Sequence, residues 1–264
     1  MKQMKQLKST SSELLNLFES SILVRHVAER LVFCQADENA VIAQKLMDER
    51  DFDVLGVADK STVYGYIKQG SLKEGSCKQY EHTFHPLELI AESAPLLDLL
   101  PILRDKPRIF VLERNRVTGI VTRGDLRKAP VRMLLFGLVS LLEMQLLRVI
   151  EHQYPNDSWQ SLVTRARLDK AKEELAKRQQ KNENIGLADC LQFCDKLEIV
   201  MKTPKILQAL CLESKNKAEQ FQKEAEELRN SLAHGQDIVT GSKWSELLVL
   251  VTKIQKVLKI LETM

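Results

Sequence analysis

The sequence predicts an α+β region built from two repeated units, followed by an all-α helical bundle. In the first half, strand-like segments recur at a fixed offset of 54 residues, each with a helical pattern before it. After Pro130 the strand patterns stop and apolar residues follow a helical period. A chain of 264 residues is long enough for two domains of ordinary size. We expect an N-terminal extension over residues 1–20, the repeated region over 21–130 and the helical domain over 131–264.

Composition excludes several classes of protein. A net charge of only +3 excludes a global basic field, so any nucleic-acid surface must be local. The five cysteines are odd in number and form no Cys-x-x-Cys pair, so neither a disulfide framework nor a metal site is expected. The longest uncharged apolar run, residues 133–142, is shorter than the roughly 20 residues that span a bilayer. We therefore expect a cytoplasmic protein without membrane contact.

The internal repeat is clearest around two glycine-containing segments, in which Val, Gly, Gly and Leu occupy the same places. The aligned segments are 63–72 with 117–126, 54–57 with 108–111, and the helical patterns 41–47 with 96–103. Each copy thus contains a helix, a strand, a turn, a strand and a second helix. A unit this small cannot bury both of its faces alone, so the two copies are expected to pack as a pair.

The second copy carries residues suited to a nucleotide. Gly119 permits close backbone approach to a ligand, and Thr122 offers a hydroxyl to a phosphate oxygen. Asp125 is expected to start the following helix, where its carboxylate could accept from ribose hydroxyls. In a purely structural alternative, Asp125 only caps that helix and Thr122 only forms a turn.

The order of elements and the Gly-x-x-Thr-x-x-Asp motif resemble a tandem pair of CBS domains over about residues 20–130. The resemblance implies a β-α-β-β-α fold for each copy. It also implies that an adenine nucleotide (AMP, ADP, ATP or S-adenosylmethionine) acts as a regulatory ligand, with no cofactor required. In the first copy Lys68 stands where Thr or Ser is expected, and Ser71 where Asp is expected. We therefore expect one usable nucleotide site or none, with Lys68 able to add charge near a phosphate.

The second half reads as helices over 132–152, 158–181, 187–202, 205–233 and 243–262. The first of these is apolar on two faces, as expected of a central helix or a dimer contact. In the second, four basic residues share one face and could bind RNA phosphates: Arg167, Lys170, Arg178 and Lys181. Because Glu174 lies on the same stripe, a solvated helix with ion pairs is the simpler alternative.

A polar motif ends the helix that buries Phe221 and Leu228. Arg229, Asn230 and His234 supply a cation, a hydrogen-bonding side chain and a proton-transfer group, the groups that metal-free RNA cleavage needs. Gly235 is expected to terminate the helix. In the simpler alternative, Arg229 pairs with Glu226 or Glu224 and His234 only caps the helix.

This Arg-Asn-x-x-x-His motif in an all-helical context resembles the HEPN superfamily. The resemblance implies a homodimer whose paired motifs line one cleft, with His234 as acid-base residue, Arg229 as phosphate stabiliser and Asn230 as positioner. The sequence therefore suggests a metal-independent endoribonuclease acting on RNA and gated by a nucleotide bound to the CBS pair. One alternative is a non-catalytic nucleotide-sensing regulatory dimer acting on a protein partner. Another is a toxin or defence protein held inactive by an antitoxin.

Overall fold

The computed structural model describes residues 11–70, 72–212, 214–234 and 244–264. Ser71, Gly235 and the predicted break at 241–242 lie outside the described residues. The described chain falls into two compact units. One is Glu19–Val131, and the other combines residues 11–18 with the described part of Arg132–Met264. Part of the expected N-terminal extension thus belongs to the helical unit, where the Phe18 ring packs so closely on Gly137 that a Cβ there would lie 2.2 Å from Cζ.

The first unit contains two four-stranded sheets among its described residues. The strands are β1 Glu29–Arg30, β2 Phe33–Gln35, β3 Val54–Asp59, β4 Thr62–Lys68, β5 His82–Thr83, β6 Leu89–Ala91, β7 Arg108–Glu113 and β8 Arg116–Thr122. The sheet orders are β2-β3-β4-β5 and β1-β8-β7-β6. In the first sheet β3 lies between β2 and β4, and in the second sheet β7 lies between β6 and β8. Strand β1 pairs with β8 and so joins the sheet of the second copy.

The helices between the strands confirm the α/β repeat. They are α2 Ala40–Arg50 and α3 Leu96–Asp105, and each precedes an antiparallel hairpin. The expected second helix of each copy is only a 3₁₀ turn, Cys77–Tyr80 in the first copy and Arg123–Arg127 in the second. In the second copy Pro130 lies in the first turn of a new helix, which leaves too few residues for an intervening one.

The second unit is helical throughout its described residues. Its helices are α1 Ser11–Ser21, shared with the first unit, α4 Ala129–Gln153, α5 Arg165–Gln179, α6 Phe193–Met201, α7 Pro204–Ala209, α8 Lys215–Ala233 and α9 Trp244–Glu262. The helices predicted over 158–181 and 205–233 are each divided. In the helix predicted over 158–181, the first residues form a 3₁₀ stretch that follows left-handed backbone at Asn156 and Asp157. In the helix predicted over 205–233, left-handed Cys211 (φ 55°) separates α7 from α8.

Helix α4 is the most apolar element of the described chain. By length and composition alone it could cross a membrane, although 61% of its most apolar window is buried within the chain. Burial of this kind is typical of a core helix. Its outer face carries Met133, Phe136 and Met144, which are 65%, 55% and 39% exposed. These three residues form the exposed apolar stripe of α4.

A partly buried ion pair joins α4 to α6. Lys196 Nζ lies 2.8 Å from Glu143 Oε1, and the Lys196 side chain is only 6% exposed. We expect Glu143→Gln to destabilise the helical unit by about 3 kcal/mol, because it leaves a buried ammonium without its counter-charge. Urea denaturation followed by circular dichroism measures the loss.

Lys196→Met is the matched variant for this pair. It leaves Glu143, which is 34% exposed, able to contact water, so we expect a change below about 1 kcal/mol. Equal destabilisation by the two variants would contradict this account of the pair.

Candidate functional site

A cavity of about 720 Å³ lies within the first unit, and we call it the β-unit cavity. It is lined by Glu29, Arg30, Leu31, Val32, Asp51, Phe52, Asp53, Val54, Pro107, Arg108, Ile120, Thr122, Arg123, Gly124 and Asp125. The structure thus brings together Thr122 and Asp125 of the sequence motif. Gly119 does not line the cavity, but a Cβ there would lie 3.0 Å from the Glu29 carbonyl oxygen. This glycine therefore allows β1 to approach β8, which places Glu29 at the cavity.

The Asp125 carboxylate is held from both sides. Its Oδ2 accepts from the Thr122 backbone N–H at 2.7 Å and from Thr122 Oγ1 at 2.9 Å. Its Oδ1 lies 2.8 Å from Lys128 Nζ. Thr122, and not Asp125 as expected, is the N-cap of the 3₁₀ turn Arg123–Arg127. Asp125 is only 8% exposed, so its orientation is fixed by this cap and by the ammonium.

Lys128 connects the motif to the segment before β1. Its ammonium donates to the Val27 carbonyl oxygen at 2.6 Å and to Glu29 Oε1, besides its ion pair with Asp125. Burial alone would lower the pKa of Lys128, but the bonds to the two carboxylates outweigh it and raise the pKa above its usual value. Lys128 therefore stays positive and compensates part of the negative charge beside the cavity.

Two arginines that the sequence did not suggest line the β-unit cavity. Within the described chain, neither the Arg30 nor the Arg108 guanidinium makes a hydrogen bond or an ion pair. Arg108 is the direct partner of Thr122 across the β7–β8 ladder. Arg123, in contrast, donates to the carbonyl oxygens of Leu103 and Arg104, each at 2.8 Å. Arg30 and Arg108 are thus the cations of the cavity available to a phosphate.

The remaining lining is partly apolar and partly acidic. Val32, Phe52 and Ile120 contribute to an apolar wall of the kind that takes a planar base. Asp51 and Asp53 also line the cavity, and within the described chain neither side chain has a hydrogen bond or ion pair. The cavity therefore combines an apolar wall, a fixed carboxylate and charges of both signs.

One wall residue of the β-unit cavity has a buried aromatic counterpart in the first copy. Tyr66, which corresponds to Ile120 at the repeat offset, is only 4% exposed. Its ring packs on Phe84 and Phe110, with centroids 5.6 Å and 4.8 Å away. Lys68 does not line the β-unit cavity, and its Nζ lies 5.7 Å from the Tyr66 ring centroid. Tyr66 is thus packed against aromatic rings at the position where the second copy has Ile120.

A second cavity, of about 250 Å³, lies at the Arg-Asn motif of α8, and we call it the motif cavity. It is lined by Gln192, Phe193, Cys194, Glu226, Arg229 and Asn230. Arg229 Nη1 donates to Asn230 Oδ1 at 3.3 Å, and no ion pair joins Arg229 to Glu224 or Glu226 within the described residues. His234 follows the last residue of α8 and is exposed, but it does not line this cavity.

Arg132, near the start of α4, holds the end of α8. Its Nη2 donates to the carbonyl oxygens of Ser231 at 3.0 Å and Leu232 at 2.8 Å. The last carbonyls of a helix have no partner within the helix, and a cation there also opposes the negative end of the helix dipole. Arg132 therefore fixes the turn that carries the sequence motif, a role that the sequence did not reveal.

The four basic residues predicted to bind RNA have different environments. Arg167 pairs with Asp195 at 3.0 Å and with Glu198, and Arg178 pairs with Glu183 at 2.6 Å. Lys170 and Lys181 are exposed. Arg167 and Lys170 line a cavity of about 510 Å³ that shares Gln192 and Cys194 with the motif cavity. In the described ranges, no group of three or more His, Cys, Asp or Glu residues is placed to hold a metal ion.

Comparison with known proteins assigns a family to part of the first unit. Residues 82–132 match the CBS domain family. No curated protein matches the chain significantly. A structure of an uncharacterised conserved protein from Pyrococcus horikoshii is 19% identical, with a TM-score of 0.36, and covers 41% of this chain and 91% of its own. The structure of CBSX2 in complex with AMP is 17% identical, with a TM-score of 0.36, and covers 42% of this chain and 97% of its own. A conserved CBS domain protein from Thermoplasma acidophilum is 19% identical, with a TM-score of 0.34, and covers 44% of this chain and 75% of its own.

Proposed function

We propose, from the premise that residues 82–132 form a CBS domain, that the chain senses an adenine nucleotide and thereby controls its helical unit. One observation carries the proposal. The β-unit cavity places the fixed Asp125 carboxylate, the unpaired Arg30 and Arg108 guanidiniums and an apolar wall around one space. Few side-chain arrangements in a soluble protein suit ribose, phosphate and base together in this way.

Each part of the nucleotide has a chemical counterpart in the cavity. Asp125 accepts from a ribose hydroxyl through the one acceptor position that Thr122 and Lys128 leave open, since a carboxylate has about four and three are occupied. Arg30 and Arg108 donate charge-assisted hydrogen bonds to the phosphate. The apolar wall that contains Phe52 and Ile120 covers the base. Lys68, which lies outside the cavity lining, has no part in this arrangement.

Isothermal titration of the full chain with AMP tests the proposal. We expect saturable binding with one nucleotide per chain, because the first copy has Lys68 and Ser71 where the second has Thr122 and Asp125, and its Tyr66 is buried against aromatic rings. Binding to the folded state alone also raises the melting temperature. Absence of heat and of a thermal shift for AMP, ADP, ATP and S-adenosylmethionine would contradict the proposal. Two bound nucleotides per chain would contradict the expectation that only the second copy holds a site.

A short segment connects the nucleotide site to the motif. Lys128 binds Asp125, and Arg132, four residues later, binds the last turn of α8. A nucleotide that binds two arrangements of Asp125 and Lys128 with different affinity would shift the start of α4 and, through Arg132, that turn. Equal affinity for both arrangements would leave the helical unit unaffected.

The second candidate function is metal-independent RNA cleavage by the helical unit. The supporting observation is that Arg229 and Asn230 line a cavity adjoining the one lined by Arg167 and Lys170. Arg229 would stabilise the phosphorane, Asn230 would position the phosphate and His234 would transfer protons. Since His234 lies outside the motif cavity of its own chain, a homodimer would complete the site, and the exposed apolar stripe of α4 offers one contact surface.

Incubation of labelled RNA with purified protein in EDTA tests this candidate. A nucleotide-dependent change in protein–protein binding without cleavage would instead favour the regulatory dimer that acts on a protein partner. Growth arrest that depends on His234 but not on Asp125 would favour a toxin controlled by an antitoxin.

A further inference from the structure

We propose that the β-unit cavity selects a nucleoside monophosphate over a triphosphate, and that Asp51 and Asp53 are the residues that reject the additional phosphate charge. The inference rests on the proposed nucleotide function of the same cavity. The preference follows from which charged side chains of the cavity are paired and which are not.

The charged groups of the cavity fall into three sets. One is a compensated network in which Lys128 contacts the carboxylates of Glu29 and Asp125. Another is Arg123, whose guanidinium is directed to two backbone carbonyls. The unpaired set within the described residues consists of Arg30, Arg108, Asp51 and Asp53.

The unpaired set has no net charge, which limits the anion that the cavity can accept. Two guanidiniums match the two negative charges of one terminal phosphate. A triphosphate adds further negative charge, and among the described residues no additional cation without a backbone or carboxylate partner lines the cavity. The added charge meets Asp51 and Asp53 instead, and like charges at close range disfavour binding.

The loop that carries the two acids has little freedom to withdraw them. Asp51 is the C-cap of α2 in left-handed backbone (φ 55°), and its N–H donates to the Met47 carbonyl oxygen. Asp53 immediately precedes β3, and its carbonyl oxygen accepts from the Gln69 N–H at 3.0 Å. Helix and sheet therefore anchor the backbone of the loop on both sides, which keeps the main chain of both acids beside the cavity.

Titration of the full chain with AMP and with ATP, both in EDTA, measures the selectivity. We expect AMP to bind at least about tenfold more tightly than ATP. In Asp51→Asn/Asp53→Asn, we expect the preference for AMP to fall by about tenfold, mainly through tighter ATP binding. Asparagine tolerates left-handed backbone and both positions are exposed, so the variant is expected to fold.

Asp37→Asn/Glu49→Gln is the matched control, because it removes the same charge from exposed positions outside the cavity lining. Its ratio of AMP to ATP affinity is expected to equal that of the parent. Equal affinities in the parent, an unchanged ratio in the cavity variant, or the same change in the control would each overturn the selectivity and leave the nucleotide site standing. Failure of every nucleotide to bind would overturn the nucleotide site itself, and the selectivity with it.

Discussion

Asp125→Asn is expected to weaken AMP binding by about 100-fold. The substitution replaces a charged acceptor by a neutral amide with one acceptor oxygen, and hydrogen bonds to charged groups contribute about 1.5–3 kcal/mol each. Loss of one such bond to a ribose hydroxyl, near the upper end of that range, gives an effect of this size. Titration of both proteins with AMP under the same salt conditions measures it.

The fold is expected to survive this substitution. The remaining oxygen can still accept from the Thr122 N–H, and Lys128 keeps its bonds to Val27 and Glu29. Asp98→Asn is the matched control, since Asp98 is exposed on α3 and does not line the cavity. Parent-like AMP affinity in Asp125→Asn, with parent-like affinity in the control, would show that this carboxylate only caps the 3₁₀ turn.

His234→Ala is expected to reduce cleavage of RNA in EDTA by at least about 100-fold, the usual contribution of a general acid-base group. Arg229→Ala is expected to have a similar effect, because it removes the cation nearest the motif cavity. Initial rates on a labelled RNA panel, measured with and without AMP, give both values. His152→Ala is the control, because this exposed histidine near the end of α4 lines neither of the two cavities around α6.

Mixing the two inactive proteins tests whether the site is shared between chains. A mixed dimer of Arg229→Ala and His234→Ala chains contains one intact Arg229 and one intact His234. We expect partial recovery of cleavage if the two residues act across a dimer interface, and none if they must come from the same chain. Undiminished cleavage by His234→Ala would show that another group transfers the proton.

The sequence predicted the repeat because short strands separated by glycine-containing turns leave a local pattern. Thr122 and Asp125 could be identified in the same way, since three residues separate them and a single turn holds them together. Arg30 and Arg108 could not, because they lie on strands far apart in the chain and meet only at the cavity. Arg108 lies opposite Thr122 in the β7–β8 hairpin, but the sequence alone does not give the register of that hairpin.

The helical half shows the same division between local and long-range information. Periodicity located α4, α8 and α9, but two predicted helices are interrupted where Asn156, Asp157 and Cys211 adopt left-handed backbone. Apolar spacing continues across such points and therefore hides them. Arg132 on the carbonyls of α8 is a contact between residues about 100 positions apart, so no local pattern could indicate it.

The aromatic cluster of Tyr66, Phe84 and Phe110 has a consequence for how the chain can vary. Tyr66 belongs to the first copy, whereas Phe84 and Phe110 lie within residues 82–132, so the cluster joins the two copies of the repeat. Replacement of Phe84 by a larger or smaller side chain is expected to lower the melting temperature, whereas substitutions around Asp125 are expected to weaken nucleotide binding. Under the proposed function, substitutions around Asp125 can therefore change ligand preference while this shared cluster keeps the two copies packed together.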